Sequence, residues 1–321
     1  MKILFVEDEL SKNIPRIIRL FSKYLGEERI QRLKSLEADE YGATPEEIKA
    51  IVEETNLIEL DYRFSDALHK VIHHHNDYAL FIMDRNLIEN GYSLKEIVQI
   101  DSNYNDDFRA IEGDYIFHKL ALQGIDIKNK FYYLTAVSEP KDIIKPYMIH
   151  FKNFETENFI EKGGSDFDRL VKIVENIPIL KLQHENEDYL NILRKNIGNK
   201  QTDHFLKILE NKDKPEKIED NVRDMRNIYQ EILTICAGKI PDMKRNCSDY
   251  YGNIVMGKKT IDWLFDNKHI RVIIKNFFYS ISNIANTLSH PNKEAPTLNT
   301  VNSLVYALKD VILWFGKICS P

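Results

Sequence analysis

The chain opens with four apolar residues, Ile3 to Val6, that run straight into three acids, Glu7, Asp8 and Glu9. Short apolar runs of the same kind recur as LIEL (57–60), YALFIMD (78–84), KFYYLTA (130–136) and NFIEK (158–162). Helical spacing lies between them, for example near residues 11–25 and in SDALHKVIHHH (65–75). Five short strands alternating with helices predict a parallel sheet wrapped on both faces. Carboxylates that follow a buried strand must lie at the end of the sheet, where water, a cation or a basic side chain compensates them. Open α/β sheets keep their sites at that edge.

Two segments break the regular count. Residues 26–55 are charged and helical in character, with Thr44, Pro45 and Glu47 forming a helix-start signal. Residues 93–112 contain DSNYNDD, a run of turn formers. Both read as insertions on a smaller α/β core. After VENIPIL (174–180) the strand signals largely stop, and helices are predicted near 186–197, 202–210, 218–237, 258–266 and 270–289. The clearest is 301–315, where Val301, Leu304, Val305, Leu308, Ile312 and Phe315 share one face. The pattern therefore predicts an α/β domain over residues 1–180 and an all-α domain over 181–321.

With 321 residues and 43% hydrophobic content the chain has enough apolar side chains for two cores. The opening apolar run is too short for a signal peptide, and no stretch approaches the roughly 18 uninterrupted apolar residues of a membrane span. A cytoplasmic protein without a membrane partner is expected. Cys236, Cys247 and Cys319 are widely spaced and lie outside any CxxC pattern, as reduced thiols would. The net charge of -6 hides an asymmetry: residues 181–321 hold 21 Lys+Arg against 17 Asp+Glu, and the front part holds 23 against 33. An acidic front and a mildly basic back suggest different partners.

The strand ends carry Glu7 and Asp8, Asp84, Thr135 and Lys162. In a parallel sheet these converge on one edge. Three clustered carboxylates repel unless a hard divalent cation sits among them, and oxygen-only ligands suit Mg2+. The stretches FVEDE, LFIMDRNLIENGY, YYLTA and FIEK resemble the receiver domain of two-component response regulators, over roughly residues 1–180. The resemblance implies a flavodoxin-like fold with Asp84 as phosphoacceptor. It implies Mg2+ held by Glu7, Asp8, Asp84 and the backbone carbonyl of Asn86, with Thr135 and Lys162 on the phosphoryl oxygens. Phe159 stands where the family often has an aromatic that reports phosphorylation, and a histidine kinase or phosphotransfer protein is the implied partner. The chemistry of each residue type agrees: a carboxylate attacks phosphorus when a metal and an ammonium offset the developing charge. Lys162 is followed by Gly163-Gly164 where the family usually has proline. A haloacid-dehalogenase-like phosphatase would need a second Asp two positions after the first, where this chain has Asn86.

In the second half, SISNIANTLSHPNKEAPTLNTVNSLVYALKDVILWF (280–315) is the most informative stretch. Ile281, Ile284, Ala285 and Leu288 form an apolar stripe that leaves Asn283, Asn286 and His290 near a common polar face. The stretch resembles HEPN-type helical domains, many of which are metal-independent ribonucleases. Asn286 and His290 match the family's motif, but Ala285 stands where the motif has Arg. That leaves no obvious side chain to stabilise a pentacoordinate phosphate. The expectation is a helical output or dimerisation domain in a homo-oligomer, with receiver-gated RNA cleavage, or a plain interaction scaffold, as alternatives. The histidines 69, 73, 74 and 75 read as a solvated helix end, because zinc would want further ligands at defined spacing. Lys258, Lys259, Lys268, His269, Arg271 and Lys275 are interrupted by Asp262 and Asp266 and read as a solvated face. No DNA-binding motif stands out.

Overall fold

Each apolar run of the first half becomes a strand: β1 (Lys2–Val6), β2 (Ile58–Asp61), β3 (Tyr78–Met83), β4 (Phe131–Thr135) and β5 (Phe159–Glu161). The computed structural model describes residues 1–38, 42–87, 91–136, 156–288 and 295–320. All strand pairs are parallel and the order is β2-β1-β3-β4-β5, a flavodoxin-like α/β sheet. Ile3, Phe5, Leu60 and Ile82 face one side, which is covered by α1 (Ile14–Glu37), α2 (Pro45–Glu53), and two helices after β5. Leu4, Val6, Phe81, Met83 and Tyr133 face the other, covered by α3 (Phe64–His74), α4 (Leu94–Ile100) and α5 (Glu112–Leu122). Burial on both faces is why the strands read as continuous apolar runs rather than alternating ones.

The two insertions have distinct fates. Helix α1 runs on past the expected end near residue 25, across a break at Gly26, whose φ of +71° suits glycine. Helix α2 then starts at the signal read from the sequence: Thr44 accepts from the Glu47 amide at 3.3 Å and Glu47 accepts from the Thr44 amide at 2.9 Å. This helix shields the edge strand β2, because Glu53 accepts from the Leu60 amide at 3.0 Å and Lys49 reaches Asp61 at 2.9 Å. An open strand edge is a template for unwanted pairing, and α2 blocks it. The second insertion is less irregular than its composition predicts, since residues 94–100 form α4, capped by Ser93. After α5 come α6 (Ile127–Lys130), β5, α7 (Phe167–Glu175) and α8 (Pro178–Glu185).

Contacts divide the chain into Met1–His184 and Glu185–Pro321. The second unit is helical: α9 (Glu187–Asn196), α10 (Asn199–Asn211), α11 (Ile218–Lys239), α12 (Met243–Cys247), α13 (Lys258–Asp266), α14 (Val272–Thr287) and α15 (Leu298–Cys319). Helix α15 is its central element and packs against α9, α11 and α14. The six residues of its predicted stripe are all buried. Gly316 permits close approach of α9, for a Cβ there would sit 2.8 Å from Ile192 Cδ1. Cys236, Cys247 and Cys319 are free thiols. Among the described residues no helix is long and apolar enough to cross a membrane.

Candidate functional site

The strand order reverses between β1 and β3, so the loops leaving these two neighbours diverge and open a crevice. Val6 pairs with Met83, and the Asp84 amide donates to Val6 O at 2.8 Å. Glu7 and Asp84 therefore leave the sheet side by side. Glu7, Asp8 and Asp84 are all buried, and carboxylate oxygens of the three lie within 4.8 Å of one another. Among the described residues no other three His, Cys, Asp or Glu side chains converge in this way. The histidines at the end of α3 are accordingly not part of a three-ligand cluster there.

Lys162, the residue after β5, enters from the opposite side. Its amide donates to Thr135 O at 2.9 Å, and its Nζ donates to Asp84 Oδ2 at 2.6 Å. The same Nζ forms an ion pair with the buried Glu7 Oε2 at 2.6 Å. Burial, and then the charge of Asp84, push the Glu7 carboxyl up to about 7 against the opposing pull of Lys162. Burial alone would lower Lys162, but the charges of Glu7 and Asp84 outweigh it and raise its pKa. One ammonium thus offsets part of a three-acid cluster. An all-oxygen set of three buried carboxylates, offset only in part by one ammonium, fits a hard divalent cation.

Thr135 is the last residue of β4, buried, and paired in register with Glu161. Asn86 is exposed, two residues beyond Asp84. Phe159 is buried, its ring stacked on Tyr133 with centroids 4.8 Å apart. In the second unit Ala285 is buried and Asn286 is exposed on α14, while His290 lies outside the described residues. Asn286 borders an open cleft of about 810 Å³ together with Lys258, Lys275, Tyr279 and Asn283. Lys275 is held there by Asp262 at 2.7 Å.

The first turn of α5 also packs against the end of β3 that carries Asp84. Glu112 is fully buried and accepts from the amides of Leu87 and Ala110 and from the hydroxyl of Tyr92, at 3.0, 2.9 and 2.8 Å. Gly113 lies so close to the strand end that a Cβ would sit 2.4 Å from Asp84 O. Asp114 holds the guanidinium of Arg85. The one signal in the sequence is an acid pair opening a helix, which by itself says only that it complements the helix dipole. Compared with known proteins, the chain matches no family model, no curated protein and no solved structure.

Proposed function

We propose that this chain is a response-regulator-like signalling protein whose Asp84 accepts a phosphoryl group and thereby controls the packing or self-association of the helical unit. The observation that supports this reading is the convergence of Glu7, Asp8 and Asp84 within 4.8 Å, with the Lys162 ammonium 2.6 Å from Asp84. A carboxylate oxygen of Asp84 forms the new bond to phosphorus, and the donor's leaving group departs with the electrons of the bond that breaks. Lys162 neutralises charge on the transferred oxygens, and the Thr135 hydroxyl donates to one of them. Mg2+, held by Glu7, Asp8, Asp84 and the Asn86 carbonyl, would supply further charge neutralisation. A histidine kinase or phosphotransfer protein is the phosphodonor in this reading. The protein acts in the cytoplasm as a homo-oligomer.

The test is incubation of the full chain with Mg2+ and acetyl phosphate, wild type against Asp84→Asn, read by intact mass, with light scattering for assembly. A Mg2+-dependent adduct lost in the variant supports the reading. No adduct, and no response to beryllofluoride, overturns it. A second reading, RNA cleavage by the helical unit, draws on the exposure of Asn286 beside a polar cleft. A ribonuclease assay of wild type against His290→Ala decides that one.

A further inference from the structure

Lys162 must hold its ammonium against two buried carboxylates, yet the next two residues are Gly163 and Gly164, which leave its loop little stiffness of its own. A side chain from α1 supplies what the loop lacks. Arg16 Nε donates to Lys162 O at 2.9 Å, joining residues far apart in the chain. The same guanidinium donates through Nη1 to Asn13 Oδ1. Asn13 is 2% exposed, and its Nδ2 donates to Glu9 O at 2.9 Å. The Glu9 amide donates in turn to Glu7 Oε1 at 3.3 Å. Closing the circuit, Lys162 Nζ meets Glu7 Oε2 and Asp84 Oδ2. The loop that carries the acids and the loop that carries the lysine are therefore tied together twice, once through the ionic contacts and once through Asn13 and Arg16.

We infer that Arg16, braced by Asn13, is the positioning residue for Lys162: it fixes the backbone from which the ammonium reaches Asp84. Its consequence for phosphoryl transfer rests on the function proposed above, whereas its geometry does not. The role depends on shape as well as charge. A lysine at position 16 would keep the cation but lacks the planar fork that binds Lys162 O and Asn13 together.

The experiment follows phosphoryl incorporation from acetyl phosphate with Mg2+ in wild type, Arg16→Gln, Arg16→Lys, Lys162→Met and the double variant Arg16→Gln/Lys162→Met. Both Arg16 variants are expected to slow incorporation by about tenfold to a hundredfold, the scale of a misplaced reacting group. On the residual rate of Lys162→Met, adding Arg16→Gln is expected to change nothing further. Full rate in Arg16→Lys overturns the positioning role in favour of simple charge, and equal slowing in both backgrounds reduces it to general support of the fold. Hydrogen exchange of the Lys162 amide gives a readout independent of phosphorylation. It is expected to quicken at least tenfold in Arg16→Gln at unchanged melting temperature, about 1.4 kcal/mol of local protection. Unchanged exchange overturns the inference whatever the kinetics. A wild type that takes up no phosphoryl group overturns the proposed function instead, and exchange alone then decides the clamp.

Discussion

Arg85 meets Asp114 in a buried two-pronged ion pair, Nε at 3.1 Å and Nη2 at 2.9 Å, immediately after Asp84 in the chain. Asp114 takes a further bond from the Tyr133 hydroxyl at 3.0 Å, and the Tyr133 ring stacks on Phe159. The Arg85 amide meanwhile donates to Asp84 Oδ1 at 2.6 Å. One residue thus touches Asp84 with its backbone and commits its guanidinium to α5. Burial raises the Asp114 carboxyl even with Arg85 beside it, so pairing does not fully offset desolvation.

Removing one partner of such a pair strands the other in the interior. Asp114→Ala is expected to lose about 3–5 kcal/mol of stability. Tyr133→Phe keeps the stacked ring and leaves Asp114 its guanidinium, so it should lose about 1 kcal/mol. Urea unfolding of the two variants against wild type checks the ranking. A loss for Asp114→Ala no larger than that for Tyr133→Phe would mean that the pair contributes little to the fold.

Two glycines near the site are expected to respond differently to a methyl group. At Gly113 a Cβ would lie 2.4 Å from Asp84 O and 2.9 Å from Arg85 Cα, both backbone atoms that cannot swing aside. Gly113→Ala should therefore cost about 1–3 kcal/mol and displace the strand end that carries Asp84. At Gly163 a Cβ would meet nothing within 4 Å, so Gly163→Ala should be neutral or stabilise by up to about 1 kcal/mol through the unfolded chain. Thermal melts of both variants, with amide shifts around Asp84, separate the cases. Equal tolerance at the two positions would show that α5 can retreat freely.

The sheet was legible because each strand is bounded by a polar residue and buried on both faces, which leaves runs such as Ile3–Val6 unbroken by alternation. The same boundaries placed Glu7, Asp84, Thr135 and Lys162 at one edge, since a site residue here is simply the last residue of its strand or one that follows it. Helix α15 was equally plain, its stripe from Val301 to Phe315 facing a core made by neighbouring helices. What stayed hidden depends on partners distant in sequence. Nothing local distinguishes Glu112, which is fully buried against the Leu87 and Ala110 amides, from an acid that merely opens a helix in water. Helix α4 was obscured because only Ile97 of its residues is buried, too little for an apolar period. Arg16 gave no signal at all, for the partner it reaches on the distant loop is a backbone carbonyl.

Lys162 acts as an internal cation, 2.6 Å from both Glu7 and Asp84. Lys162→Met leaves those carboxylates buried without it and should cost about 3–5 kcal/mol in metal-free solution. In the proposed function the ammonium and a divalent cation would compete for the same oxygens, so Mg2+ should raise the melting temperature of Lys162→Met more than that of wild type. Phosphoryl incorporation should fall even as Mg2+ binds more tightly. Melting curves with and without Mg2+ test the competition. No response to Mg2+ in either protein would remove the metal from the proposed function.

Glu7 links the site to pH. Its carboxyl rises from an ordinary 4.5 to about 7, first through burial and then through the charge of Asp84. The folded chain therefore holds a proton that the unfolded chain releases between these values. The stability this group contributes is fully present below pH 4.5 and is lost as pH rises through about 7. In the proposed function Glu7 is a metal ligand, which must be ionised, so Mg2+ would compete with that proton. Its apparent affinity should climb about tenfold per pH unit up to pH 7 and level off above it. Glu7→Gln should weaken binding and flatten the profile. Calorimetric Mg2+ titrations at pH 6, 7 and 8 measure both effects, and an affinity independent of pH in wild type would take Glu7 out of the ligand set.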